Sequence, residues 1–212
     1  GTSGSSGTSG SSGTSGATGP QGISAGQVYY FNQSTNSSLP GIKELAITPS
    51  GNSQQIVTTL LTGNATNVLV AEYITDQLGF AVIPSGTQRF HLHLLKPASN
   101  DNIEVYAQID LCDSSGTSYS TLIGNTGLQL LDWVSNTVPA ENTADLTLPT
   151  TTINPTDRMR VRIYLNNLDS TSHSVDFYTE GTSYYSFVLT SVGQLAGTSR
   201  SSGTSGSSGS SG

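Results

Sequence analysis

Alternation of apolar and polar residues along three segments in the middle of the chain predicts β-strands with one buried face. The apolar positions are two residues apart, which is the spacing that places side chains on one face of a strand. The polar residues between them, such as Arg89, His91 and His93, would face the opposite side. The three apolar sets are Phe90, Leu92 and Leu94; Ile103, Val105, Ala107, Ile109 and Leu111; and Met159, Val161, Ile163 and Leu165.

Nine further segments complete a predicted all-β domain. They lie at 28–31, 42–48, 54–60, 68–74, 118–123, 128–133, 144–148, 173–179 and 184–191. Turn-forming clusters rich in Pro, Gly, Ser and Asn separate many of these segments, for example at 49–52 and 113–116. The pattern leaves no room for a sizeable helix, so we expect an antiparallel, jelly-roll-like sandwich over residues 23–196.

Both ends of the chain have a different composition, in which glycine occurs at every third position. Glycine stands at positions 1, 4, 7, 10, 13, 16, 19 and 22, and again at 197, 203, 206, 209 and 212, with Arg200 where the second series lacks one. This Gly-X-Y period is typical of collagen, whose three strands leave room for only a hydrogen atom at the common axis. We therefore predict collagen-like, triple-helical arms at 1–22 and 197–212, the second interrupted at Arg200.

The arms contain a single proline, Pro20, so they lack most of the residues that preset the backbone of stable collagens. Such arms would trimerise weakly and would need another element to hold three chains in register. Gly/Ser tracts are also typical of flexible linkers, which is the alternative interpretation of the same period. Arg200 and the unbroken register from the first triplets through Gly16–Gly22 favour the collagen interpretation.

The charge and cysteine content exclude several classes of partner. The chain has 14 Asp and Glu against 7 Lys and Arg, a net charge of -7, which disfavours nucleic acid and anionic lipid because both carry negative phosphates. No apolar run approaches the roughly 20 residues of a membrane helix, so we expect no membrane partner. Cys112 is the single cysteine, which excludes an internal disulfide and gives a cysteine-based zinc site too few ligands.

The triplet arms and four short segments of the middle domain resemble collagen-like fibre proteins. These segments are 83–86 (IPSG), 90–93 (FHLH), 156–158 (TDR) and 180–186 (EGTSYYS). Similar fibres are found on large DNA viruses, in phage tail fibres and on bacterial spore coats, and some of their heads have a tumour necrosis factor-like jelly roll. The resemblance implies a homotrimer on a virion surface, in which this domain is the trimerising head of a structural fibre and could attach to a host-surface glycan or protein receptor.

Two alternatives to a virion fibre stay open. One is a collagen-like filament of a bacterial spore coat or cell surface, and the other is a lectin-like, glycan-binding module whose arms are spacers. The position of the chain ends bears on the fibre itself. A tumour necrosis factor-like jelly roll has both ends at one pole, whereas a domain that interrupts a continuous fibre is more easily pictured with its ends at opposite poles.

Arg158, Arg160 and Arg162 would lie on one face of a strand. Arginine clamps carboxylates and sulfates with two parallel hydrogen bonds, so this face could contact a sialylated or sulfated glycan. Pairing with acids on a neighbouring strand or across a subunit interface is the alternative that we favour.

Tyrosine and phenylalanine residues near both ends of the domain could stack on sugars. They are Tyr29, Tyr30, Phe31, Tyr184 and Tyr185. We select Tyr184 and Tyr185 as possible glycan or interface contacts. Because neighbours on a strand point to opposite faces, at most half of these rings would share one site.

We expect no metal, no cofactor and no enzyme activity. His91 and His93 have the spacing by which a strand presents two imidazoles to one metal, but no carboxylate is close in sequence. The acids near residues 101–113 (Asp101, Glu104, Asp110 and Asp113, beside Asn100 and Asn102) lack the regular spacing of a calcium loop, so we expect solvated charges. No Gly-x-Ser-x-Gly nucleophile motif is present.

Overall fold

The residues that the computed structural model describes, Gly1 and 26–192, contain fourteen β-strands and no helix. No helix within this range is long and apolar enough to cross a membrane. Apart from Gly1, the predicted arms lie outside the described residues. The strands are β1 (Gln27–Asn36), β2 (Lys43–Ala46), β3 (Gln55–Leu61), β4 (Val68–Ile74), β5 (Val82–Ile83), β6 (Gly86–Leu95), β7 (Ile103–Cys112), β8 (Ser118–Asn125), β9 (Gln129–Leu130), β10 (Ala140–Leu148), β11 (Thr151–Thr152), β12 (Arg158–Asn167), β13 (His173–Thr179) and β14 (Phe187–Thr190).

Twelve of these strands form one continuous sheet that curls into a sandwich. Its order is β3-β13-β6-β14-β1-β2-β4-β12-β7-β8; β10 pairs with the other edge of β6, and β9 pairs with β7. β10 lies beside β8, and β3 lies beside β4 and β12, so strands that are distant in the sheet order come close together. β5 and β11 form a separate two-stranded sheet. The domain is therefore all-β, mostly antiparallel and sandwich-like, as the alternating pattern predicts.

Antiparallel pairing holds throughout this sheet with one exception. β2 pairs with β4 in parallel, through Lys43 opposite Tyr73 and Glu44 opposite Ile74. Several strand boundaries also differ from those predicted, and two strands are clearly shortened where turn geometry interrupts the apolar segments. The strand predicted at 128–133 is reduced to Gln129–Leu130, and the strand predicted at 184–191 begins only at Phe187.

The core lies between the two layers of the curled sheet, and its inward residues include those of the three alternating sets. Phe90, Leu92 and Leu94 of β6 are at most 1% exposed, and Val161 of β12 is fully buried. The prediction of only one buried face is wrong for β7, where Asp110 is also fully buried. The outer face of β7 is covered because long side chains from the neighbouring strand β12 reach over it.

The first and last strands of the described domain are hydrogen-bonded neighbours. β1 and β14 run antiparallel, with Gln27 opposite Thr190 and Tyr30 opposite Phe187. Gly26 and Val192 therefore lie at the same end of this strand pair. Ends at opposite poles, the arrangement more easily pictured for a domain within a fibre, do not occur here.

Candidate functional site

A row of rings crosses the outer face of the sheet from β1 through β14 to β6. Tyr30 lies opposite Phe187 in the strand register, and Phe187 lies opposite His91. The His91 ring stacks on Phe187 with centroids 4.5 Å apart, and Tyr30 lies 6.4 Å from Phe187. Because side chains alternate along β1, Tyr29 and Phe31 point into the core while Tyr30 points outward. The prediction that adjacent aromatic residues of a strand point to opposite faces is therefore correct for β1.

The segment 180–186 before β14 is a turn with an unusual backbone. Glu180, Gly181 and Tyr184 have positive φ angles of 59°, 74° and 57°. A Cβ at Gly181 would lie 3.0 Å from the backbone nitrogen of Gln54, so both the angle and the close approach require glycine there. Positive φ is uncommon for residues such as Glu and Tyr, and backbone strain of this kind is often found at binding sites.

The same turn presents two tyrosines to solvent. Tyr184 and Tyr185 are each 39% exposed and precede β14, so the alternation that places adjacent rings of a strand on opposite faces does not apply to them. The Tyr185 ring lies 6.2 Å from Tyr30 and 5.7 Å from Phe187. The Tyr184 ring lies 5.9 Å from His93. We call the outward rings of Tyr30, His91, Tyr184, Tyr185 and Phe187 the aromatic strip.

A cleft of about 260 Å³ opens beside the aromatic strip, between the turn at 180–186 and the turn at 49–52. Rings line one part of it and small polar residues line the rest. The lining residues used below are Tyr30, Tyr185, Ser50, Asn52, Thr182 and Glu180. Apolar walls with a few fixed polar groups are the usual composition of a small-molecule site, which makes this cleft a candidate binding site.

The floor of the cleft is held by a buried carboxylate. Glu180 is 7% exposed, and its Oε1 accepts hydrogen bonds from Ser34 N (3.2 Å) and Ser34 Oγ (2.7 Å). Asn52 Nδ2 donates to the same Ser34 Oγ at 2.8 Å. Beneath this network, burial raises the pKa of the Tyr73 hydroxyl, and the nearby Glu180 charge raises it further. The network ties the two turns to β1 and fixes the shape of the cleft.

The three arginines of β12, Arg158, Arg160 and Arg162, share one face of the strand, as their spacing predicts. Their side chains are mostly buried, which leaves little of them exposed to a ligand. Arg158 is 8% exposed, and the side chains of Arg160 and Arg162 are 16% and 24% exposed. Arg160 pairs with Glu72 of β4 at 3.2 Å, and Arg162 pairs with Asp110 of β7. Arg160 and Arg162 therefore meet acids on the neighbouring strands, the alternative that we favoured from the sequence. Arg158 instead donates hydrogen bonds to Ser38 Oγ (2.8 Å) and to the Thr75 carbonyl (3.2 Å).

His91 and His93 have separate surroundings. His91 Nδ1 lies 2.5 Å from Glu141 Oε1, a carboxylate of β10 that the sequence could not place beside it. His93 is half-buried, and desolvation lowers its pKa below the usual range despite the neighbouring Glu141 charge. Glu141 therefore lies near both imidazoles, but these three side chains do not form a group with metal-ligand spacing among the described residues.

The structure gathers another group that sequence reasoning missed. His173 Nδ1 lies 3.5 Å from Asp101, and its Nε2 lies 3.2 Å from Asp169. These atoms lie within 4.8 Å of one another, so the three side chains have a spacing that a metal ion could use. Asp169 also accepts hydrogen bonds from Asn102, which hold the pKa of its carboxyl below the usual range. These contacts connect the loop before β7 with the loop before β13, so the group has a structural role without a metal.

The remaining acids near residues 101–113 lie apart from one another. The expectation of solvated charges is wrong for Asp101, which is 7% exposed, and for Asp110, which is fully buried by arginine side chains. Glu104 accepts a hydrogen bond from Asn166, and Asp113 accepts hydrogen bonds from its own turn, with Ser115 lowering its pKa. These acids therefore stabilise strands and turns.

Comparison with known proteins supports the fold alone. No protein-family model matches the sequence, and no curated protein matches it. Solved structures that are similar include an aminopeptidase from a marine sediment archaeon of the Thaumarchaeota (TM-score 0.56, 10% identity), an α-amino acid ester hydrolase (0.54, 11%) and a CocE/NonD family hydrolase from Staphylococcus aureus (0.50, 9%). Each match covers 78% of this chain but only 36% of the other chain. The chain thus corresponds in fold to about a third of these proteins.

Proposed function

We propose that this protein is a structural component of a surface fibre, in which three copies of the described domain sit within a collagen-like rod. The fibre would belong to a virion, and the domain would set three chains in register for the proline-poor arms. Once three chains are held together, the arms meet at a high effective concentration, which offsets their weak intrinsic tendency to trimerise. A filament of a bacterial spore coat or cell surface would use the same physics.

The observation that carries the proposal is the Gly-X-Y period on both sides of the domain. The adjacency of the two domain ends bears on how the domain would join the rod. Gln27 and Thr190 are paired residues of β1 and β14, so a chain that leaves a rod to form this domain would return close to its point of departure. Adjacent ends are the usual condition for inserting a domain into a continuous structure. The Gly-X-Y sequences on both sides would then belong to one rod, with the domains projecting from its side.

Subunit contact between the domains would need an exposed apolar surface, and the segment 128–134 provides one. Four of its seven side chains are apolar and exposed, namely Leu128, Leu130, Trp133 and Val134, at 42–61% of their full area. This segment includes β9, which lies at the edge of the sheet beside β7. We propose a second copy of the chain as its occupant, because the triplet arms on either side require parallel copies.

Substitution of one arm glycine tests whether the arms form a triple helix. In the full chain, Gly10→Ala is expected to lower the melting temperature of the triple-helical circular-dichroism signal, because a methyl group cannot fit at the crowded axis. Ser9→Ala, a change of the neighbouring position, is the matched control and should leave that melting temperature nearly unchanged. Equal melting of the two variants, or no triple-helical signal in the unaltered chain, would contradict the proposal.

A further inference from the structure

We propose that the cleft between the turns at 180–186 and 49–52 binds a neutral saccharide, with the Tyr185 ring as its stacking platform. This inference concerns a binding site and does not depend on the number of subunits. It rests on the rings that line the cleft, the polar groups that line it with them and the charge of the surroundings.

The rings have the arrangement that a sugar ring needs. Tyr185 is 39% exposed, and it lies 6.2 Å from Tyr30, which is itself half-buried and lines the same cleft. A tyrosine in this state presents a broad apolar surface while its hydroxyl group remains hydrated. The C–H face of a pyranose can cover such a surface. The aromatic strip continues beyond the cleft to Phe187 and His91, which gives room for a second sugar unit.

Small polar residues line the cleft together with the rings. Ser50, Asn52 and Thr182 line it, and they supply hydroxyl and amide groups that can both donate and accept hydrogen bonds. Sugar hydroxyls need partners of this mixed kind. The cleft volume of about 260 Å³ is close to the lower end of ordinary ligand pockets, which fits one or two sugar units better than a large cofactor.

The charge of the surroundings favours a neutral sugar over a sialylated or sulfated one. Glu180 lies under the cleft, and its Oε2 has no hydrogen-bond partner among the described residues, so its negative charge is only partly compensated by Ser34. Glu141 lies beside the aromatic strip, against His91. The arginines that could have bound an anion, such as Arg162, are paired with acids of the sheet. An anionic ligand would therefore be repelled.

The cleft is held in shape before any ligand arrives. The hydrogen bonds among Glu180, Ser34 and Asn52 connect β1 with both turns, and the positive φ angles at Glu180 and Tyr184 fix the course of the 180–186 turn. A site that is ordered in advance loses little conformational entropy on binding. The strained backbone of the turn contributes to this order, because it holds both Tyr184 and Tyr185 at the surface.

A glycan array tests the inference, followed by titration calorimetry with the neutral oligosaccharide that binds best. The array carries neutral hexose and N-acetylhexosamine oligosaccharides beside sialylated and sulfated ones, and the full chain is the probe. We expect binding to neutral glycans and a Tyr185→Ala variant that binds at least about tenfold more weakly, which corresponds to about 1.4 kcal/mol. Tyr185→Phe keeps the ring and should stay within about threefold of the original affinity.

Tyr164→Ala is the matched control away from the cleft. Tyr164 stacks on Tyr106 on the outer face of β12, so its loss should leave glycan affinity unchanged. The inference is overturned if no neutral glycan binds, if only sialylated or sulfated glycans bind, or if Tyr185→Ala binds as well as Tyr164→Ala. Sedimentation of the Tyr185→Ala variant adds a further check: dissociation of a trimer would identify the aromatic strip as a subunit contact instead.

Discussion

Val161→Asp is expected to unfold the domain and to abolish any trimer with it. Val161 is fully buried on β12, between Ile109 of β7 and Tyr73 of β4 in the strand register, and these residues are also buried. A carboxylate at this position would have no partner in the core, and burying an unpaired charge costs several kcal/mol. That cost is comparable with the whole stability of a domain, about 5–15 kcal/mol. Far-UV circular dichroism and light scattering would measure both effects.

Leu69→Asp is the matched control for this core substitution. Leu69 lies on β4, next to β12, and is 45% exposed, so the new carboxylate would stay in water and the domain should remain folded. His91→Ala should likewise leave assembly intact, because His91 is on the outer face of β6. A folded trimer carrying Asp at position 161 would mean that the inward face of β12 has been assigned wrongly.

Asp110→Ala is expected to lower the free energy of unfolding by about 3–5 kcal/mol, the usual cost of removing one partner of a buried ion pair. Asp110 is fully buried and contacts Arg162, while Arg160 Nε lies 3.7 Å from the same carboxylate oxygen. Gln108 Nε2 donates a 3.0 Å hydrogen bond to the other oxygen. Without this acid, two poorly hydrated guanidinium groups would lose their shared negative partner. Urea unfolding followed by circular dichroism would measure the change.

An exposed pair of the same chemistry provides the control for Asp110→Ala. Arg89 and Asp145 also face each other across strands and form two 2.8 Å hydrogen bonds, but their side chains are 52% and 45% exposed. Water screens such a pair, so Asp145→Ala should lower the free energy of unfolding by less than about 1 kcal/mol. Similar decreases in the free energy of unfolding for the two variants would show that burial does not determine how much the Asp110 pair stabilises the domain.

The strands could be predicted from the sequence because the core imposes a two-residue period. Phe90, Leu92 and Leu94 show the simplest case, in which each inward side chain is buried and each neighbour points outward. The outer face of β12 could not be predicted in the same way. Arg160 and Arg162 take their partners from β4 and β7, and the order of strands in the sheet, which one sequence does not specify, decides which acids are adjacent.

The sequence indicated some rings near the candidate site but not the geometry of the cleft. Tyr184 and Tyr185 were selected for their aromatic rings, but the apolar run around them indicated a strand, where the two rings would separate. Positive φ at Glu180 and Tyr184 creates a turn instead, and only Gly181 gave a local sign of it. The cleft also needs residues near position 50, which the pairing of β1 with β2 and β14 brings close.

The most direct test of the fibre account is the mass of the full chain in solution. Sedimentation equilibrium is predicted to give three times the 22.0 kDa of one chain, and the same mass after moderate dilution, because the domains hold the proline-poor arms together. A mass of 22.0 kDa at all concentrations would contradict the account, since a single chain cannot form a collagen-like rod.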